Sequence, residues 1–189
     1  MKNFKTIAMA LLVTVSTLTI TAQTKKVDAT KSKISWVGKK VTGQHSGVVN
    51  LKEGNLIFKS KKLNGGNFIV DMTTISDTDM KTGEGKEKLE GHLNSADFFS
   101  TEKYKTATLV FKKIAAKGKN IYTVTADLTI KDITNPITFD IAINGSTASA
   151  NLKIDRTKYD IKYGSGSFFD NLGDKVISDN FDLDVNLQF

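Results

Sequence analysis

The chain predicts an all-β fold, an antiparallel barrel or sandwich of about eight strands interrupted by one short helix. Two observations carry this. Beyond residue 22 most stretches alternate apolar and polar residues, the period of a strand with one buried face. One segment, Glu87-Lys88-Leu89-Glu90-Gly91-His92-Leu93-Asn94-Ser95-Ala96-Asp97-Phe98-Phe99, breaks that pattern and reads as a helix running into an aromatic pair. A β shell with a helical plug is the design of a container before it is that of a catalyst.

The first residues stand apart. Lys2 and Lys5 precede an apolar run from Ile7 to Ile20, and Thr21-Ala22 offers small residues before Gln23. This is the layout of a cleaved secretory signal. The run carries Thr14, Ser16, Thr17 and Thr19, and is short of the roughly 20 apolar residues a membrane span needs. The chain has no cysteine, so it has neither disulfides nor a lipid-modified cysteine anchor. Residues 1–22 are thus expected to be a signal peptide, and 23–189 one periplasmic or secreted domain, long enough to build an ordinary apolar core. Loss of the two lysines takes the net charge from +7 to +5.

Ile34 and Trp36 open the first strand. Gly47 to Leu51, a Glu53-Gly54 turn and Asn55 to Phe58 read as a hairpin, and Asn64-Gly65-Gly66 leads into Phe68, Val70 and Met72. Thr73 to Lys86 is polar and reads as a loop. Leu109 and Phe111 follow the helical segment. Tyr122 to Ile130 alternates cleanly, and Pro136 marks a turn before Ile137, Phe139, Ile141 and Ile143. Asn144-Gly145 supplies positive-φ residues for a tight hairpin into Ala148, Ala150, Leu152 and Ile154. Lys158 to Asn180 mixes aromatics with glycine, a loop suited to lining an opening or covering one end of the core. Leu183, Val185, Leu187 and Phe189 close the chain.

Catalytic constellations are scarce. Gly164-Ser165-Gly166-Ser167-Phe168 lacks the last glycine of a nucleophile elbow. Asp182 and Asp184 share the solvent face of a strand. The two histidines, His45 and His92, lie about fifty residues apart without ligand-type spacing, so no metal is expected. Asp77-Thr78-Asp79 begins like a calcium loop, but Thr82 stands at the sixth position where glycine is required. No cofactor and no enzymatic activity are expected. The dispersed lysines lack the interleaved aromatics of a nucleic-acid platform; they serve solubility and edge protection, or transient attraction to an anionic membrane surface.

Arg156 is the lone arginine among 27 basic residues. Its planar, multi-donor head points either to a buried pair with Asp155, Asp160 or Asp179 or to an anionic or carbonyl head group at a pocket entrance.

The run His92-Leu93-Asn94-Ser95-Ala96-Asp97-Phe98-Phe99, followed by Glu102-Lys103-Tyr104-Lys105-Thr106-Ala107, resembles the YceI-like family of exported lipid-binding β-barrels. Ala126 to Thr134 and Lys153 to Ile161 match further family motifs in the right order. Lys105 replaces the family's usual proline, and Asp127 and Asp132 replace common glycines. The resemblance implies an eight-stranded antiparallel lipocalin-like barrel, one or two short helices at its mouth, and a lengthwise apolar cavity. The implied ligand is a long-chain amphiphile, isoprenoid-like, tail inside and head at the mouth.

With the alternation, the resemblance nominates Trp36, Phe68, Val70, Leu93, Phe98, Phe99, Phe111, Phe139, Ile141, Leu152 and Phe168 as cavity lining. It nominates His92, Asp97, Arg156 and Tyr163 for the mouth. The protein would be a monomer or homodimer. Two other readings remain open: a filled barrel acting through its surface as an interaction or stress module, and a hydrolase or isomerase using His92 and Asp97.

Overall fold

The computed structural model describes residues 21–189; residues 1–20, which hold nearly all of the expected export signal, lie outside the described residues. The strands are β1 (Ala22–Lys26), β2 (Lys33–Lys40), β3 (Gly43–Lys59), β4 (Lys62–Asp77), β5 (Thr106–Gly118), β6 (Ile121–Ile130), β7 (Ile133–Asn144), β8 (Thr147–Asp155) and β9 (Ile177–Gln188). A helix, α1 (Lys86–Asn94), follows β4, and short 3₁₀ turns occupy Arg156–Tyr159 and Gly173–Lys175.

All pairings are antiparallel, and the sheet closes because β3 pairs with β4 as well as with β2. Strands β1 and β2 share one edge of β3, β1 along Asn55–Lys59 and β2 along Gly43–Val49. Together they fill one position, so the barrel has eight. Closure removes most of the free edge that an open sheet would expose, leaving β1 paired on one side only and β7 without a β8 partner before Ile141.

The clean alternation of β6, β8 and β9 folds as expected: Val124, Ala126, Ala148, Ala150, Leu152, Ile154 and Leu187 are buried. The first half departs from expectation. Glu53-Gly54 is not a turn but lies within the long strand β3, at a register shift against β4. Gly54 is there because the Phe68 ring crosses it; a Cβ would sit 2.5 Å from the ring. The real hairpin turn is Ser60-Lys61, with φ of 52° and 61°, the paired positive values that match strand twist. The later turn sits one residue beyond Asn144, where Gly145 alone takes positive φ.

Residues Thr73 to Asp77 are strand, not loop. Between the pairs Asn50–Asp71 and Val48–Ser76, β4 inserts Met72–Ile75 opposite Val49 alone. The bulge is held by Asp71, whose Oδ1 accepts from the backbone and hydroxyl of Thr73. Pro136 lies inside β7 opposite Asp127, not in a turn. There β7 has no β8 partner, since those strands pair only over Ile141–Asn144, and a missing donor costs little.

Helix α1 sits at the end of the barrel where β4 finishes. Leu89 and Leu93, four apart, share a face toward the core, and Leu93 is buried. The chain then turns tightly: the Ser95 hydroxyl donates to His92 O, and the Phe99 amide donates to Leu93 O. That turn delivers Phe98 and Phe99 into the barrel.

Candidate functional site

The barrel encloses an apolar cavity of about 180 Å³. One buried water needs only about 10–15 Å³, and an apolar engineered cavity of about 150 Å³ stays dry and takes benzene or xenon. This interior is therefore hollow on the scale of an organic ligand.

Every strand from β2 to β9 contributes inward residues to its wall. Of the sequence-nominated lining, Trp36, Phe68, Val70, Leu93, Phe98, Phe99, Phe111, Phe139, Ile141 and Leu152 all border the cavity. Phe68, Phe111 and Phe139 form an aromatic chain along one side, with ring centroids 5.6 and 5.9 Å apart. Ile143 and Ala148, one inward position further along, are buried without bordering the cavity. At the other end the wall turns polar, with Lys39, Arg156, Ser178 and Asn180 beside α1.

Phe168 is a correction. It is 51% exposed and outside the wall, and its ring lies under the Lys162 ammonium at 5.2 Å. The segment from Lys158 covers the barrel end through Tyr159 and Ile161 instead, which are almost fully buried. Aromatic-plus-glycine composition did not distinguish which aromatic turns inward. Met72, read as part of the strand but not as lining, and Ile75, hidden in the polar stretch after it, also border the cavity through the β4 bulge.

Arg156 is 3% exposed and borders the cavity. It is held mainly by backbone: Nε donates to Ser178 O, Nη1 to Ile161 O and Nη2 to Ile177 O, at 2.9, 2.7 and 3.1 Å. Asp179 is the nearby carboxylate, at 3.8 Å. Burial lowers the Arg156 pKa and the Asp179 and Asp155 charges oppose this, but a guanidinium stays protonated in proteins. Burial also disfavours the Asp179 charge, yet the nearby Ser165 hydroxyl, the hydrogen bond from Ser167 and the Arg156 charge outweigh it and hold its carboxyl below the ordinary value. Arg156 thus clamps the 3₁₀ turn after β8 to the start of β9. It also leaves a fixed positive charge at the polar end of an apolar cavity.

The other mouth candidates lie beyond Phe98, outside the cavity wall. The His92 ring packs edge-on against Phe98 and Tyr163, at 4.9 and 4.4 Å between centroids. Its Nε2 is 3.9 Å from Asp97 Oδ2, past hydrogen-bond reach. Tyr163 is half exposed. Phe98 divides this outer aromatic layer from Arg156, whose guanidinium carbon is 5.7 Å from the Phe98 ring centre.

Residues 25–189 match the YceI-like domain. The chain belongs to the YceI-like family. Its relatives include a UPF0312 protein of Pseudomonas putida, 31% identical over 93 residues, spanning 49% of this chain and 46% of that one. A UPF0312 protein of Staphylococcus aureus is 42% identical over 59 residues, 31% of this chain and 32% of that one. The aligned region thus spans less than half the length of these relatives. Among solved structures, Burkholderia cenocepacia BcnA superposes with a TM-score of 0.64 at 26% identity, covering 85% of this chain and 98% of that one. A polyisoprenoid-binding domain from Saccharophagus degradans gives 0.58 at 15% identity, covering 89% and 97%; at that identity the likeness is one of fold. The YceI-like barrel expected from the sequence is the barrel found.

Proposed function

We propose that this YceI-like protein binds a long-chain, isoprenoid-like amphiphile in its barrel, tail inside and head toward Arg156 and Lys39, and sequesters or carries it outside the cytoplasm. The observation behind this reading is the apolar cavity of about 180 Å³ with charge at one end only. A filled barrel acting through its surface would have no use for that space. The polyisoprenoid-binding relative of the same fold supports the ligand class, and the amino-terminal basic and apolar run supports export. In this reading the protein binds without turning its ligand over.

Tail burial dominates the affinity. A methylene moved out of water contributes about 0.8 kcal/mol, close to fourfold in binding. Trp36, the lone tryptophan, borders the cavity and reports occupancy by its fluorescence. Titrating saturated and isoprenoid amphiphiles of increasing length is expected to tighten binding by up to about fourfold per methylene until the cavity is full. Affinity that ignores tail length would contradict a cavity-bound tail.

A further inference from the structure

Away from the cavity wall, the fold brings together three side chains that are scattered in sequence. Strand β3 starts beside the end of β4, pairing Gly47 with Asp77, and Thr78 N donates to Ser46 O at 2.9 Å. This register sets His45 against Asp77 and Asp79, with one ligand-type atom from each within 4.8 Å of the others. His45 Nδ1 lies 3.4 Å from Asp79 Oδ2. Two donors bound at about 2.0–2.1 Å in a tetrahedral zinc site are separated by about 3.3–3.4 Å.

The group has an unmet requirement. Asp77 is 0% exposed. Its Oδ1 accepts from the amides of Asp79 and Met80, at 3.2 and 2.8 Å, which fixes the carboxylate plane. Its Oδ2 is buried with no partner, and His45 Nδ1 is buried with none either. Orphaned buried polar atoms are rare, and one on a carboxylate is costly. A cation between Asp77 Oδ2 and His45 Nδ1 would satisfy both orphaned atoms at once. His45 and Asp79 are each about one-third exposed, 33% and 35%, so an ion has a route in and water can complete its coordination.

We propose that His45, Asp77 and Asp79 form a site for one divalent transition-metal ion of the zinc class. An imidazole nitrogen with two carboxylate oxygens suits zinc, cobalt or nickel better than magnesium or calcium, which prefer all-oxygen sets. The ion would pin the start of β3 to the segment leading into α1. Asp77 N already donates to Glu90 Oε1 at 2.9 Å, so the same residue links the metal to α1, whose Leu93 borders the cavity. Lys86, 3.8 Å from Glu90, offsets that carboxylate's charge. The site is independent of what the cavity holds.

The test uses the tag-free chain, stripped of metal, titrated with zinc by calorimetry and with cobalt by visible absorption. The expected result is one ion per chain, a cobalt spectrum of low coordination number, and a melting temperature that rises with zinc. His45→Gln and Asp77→Asn are each expected to weaken binding by at least about 100-fold, since even outer-shell changes at metal sites cost 10–100-fold. Asp77→Asn keeps the acceptor for the Asp79 and Met80 amides and turns the orphan oxygen into a donor, so the metal-free variant is expected to melt at or above the wild type. Absence of stoichiometric binding would overturn the proposal. So would binding that both variants retain, which would place the ion elsewhere.

Discussion

Arg156→Ala is expected to lower the stability of the barrel by about 3–5 kcal/mol, the cost of removing one partner from a buried charged network. The guanidinium is 3% exposed and donates to three backbone carbonyls on either side of the loop between β8 and β9. Without it those carbonyls lose a buried donor together, and Asp179 loses its neighbouring positive charge. At about 2–4 °C per kcal/mol for a chain of this size, the melting temperature should fall by about 6–20 °C. Arg156→Lys is expected to recover only part of this, because an ammonium is a compact point charge and not a planar fork. Thermal and urea unfolding followed by circular dichroism measure both. A loss under about 1 kcal/mol for the alanine variant would mean that water replaces the guanidinium, and the clamp would not be structural.

Ala150→Trp is expected to weaken ligand binding by more than two orders of magnitude while leaving the fold intact. Ala150 lines the cavity between Ile141 on β7 and Val185 on β9, so an indole there enters space the ligand tail would use. Displacing about four methylenes, at close to fourfold each, weakens binding by about 250-fold. Filling a real cavity is neutral or stabilising, whereas the same change in a filled core costs about 1–3 kcal/mol by overpacking. Lost binding with an unchanged or higher melting temperature is the expected pair of results. A large destabilisation would argue that the interior is packed and not hollow.

Where one face of a strand is dry and the other wet, the structure could be read directly. Tyr122 to Ile130 and Thr147 to Asp155 are such strands, and their inward residues were correctly ordered along the chain. Gly54 misled because glycine marks a turn and a close approach alike; only the Phe68 ring above it decides which. The β4 bulge was hidden for a related reason: Thr73 and Thr74 serve local hydrogen bonds with Asp71 and Asn50, so their polarity carried no sign of a strand. Arg156 stood out by being unique, and Asp179 was among the carboxylates named for it, but the partners that hold it by hydrogen bonds could not be named from sequence. They are carbonyls of Ile161, Ile177 and Ser178, and a carbonyl belongs to every residue type. The gathering of His45 with Asp77 and Asp79 was invisible for want of any spacing signal, since strand register alone creates it.

The central claim is that the cavity holds a long-chain amphiphile, and native mass spectrometry of protein purified without detergent from its native host tests it most directly. The expected spectrum shows a chain beginning at Gln23, carrying one hydrocarbon-rich adduct that organic extraction removes and added isoprenoid lipid restores. A protein that remains at its bare mass after incubation with isoprenoid and fatty amphiphiles would contradict the account.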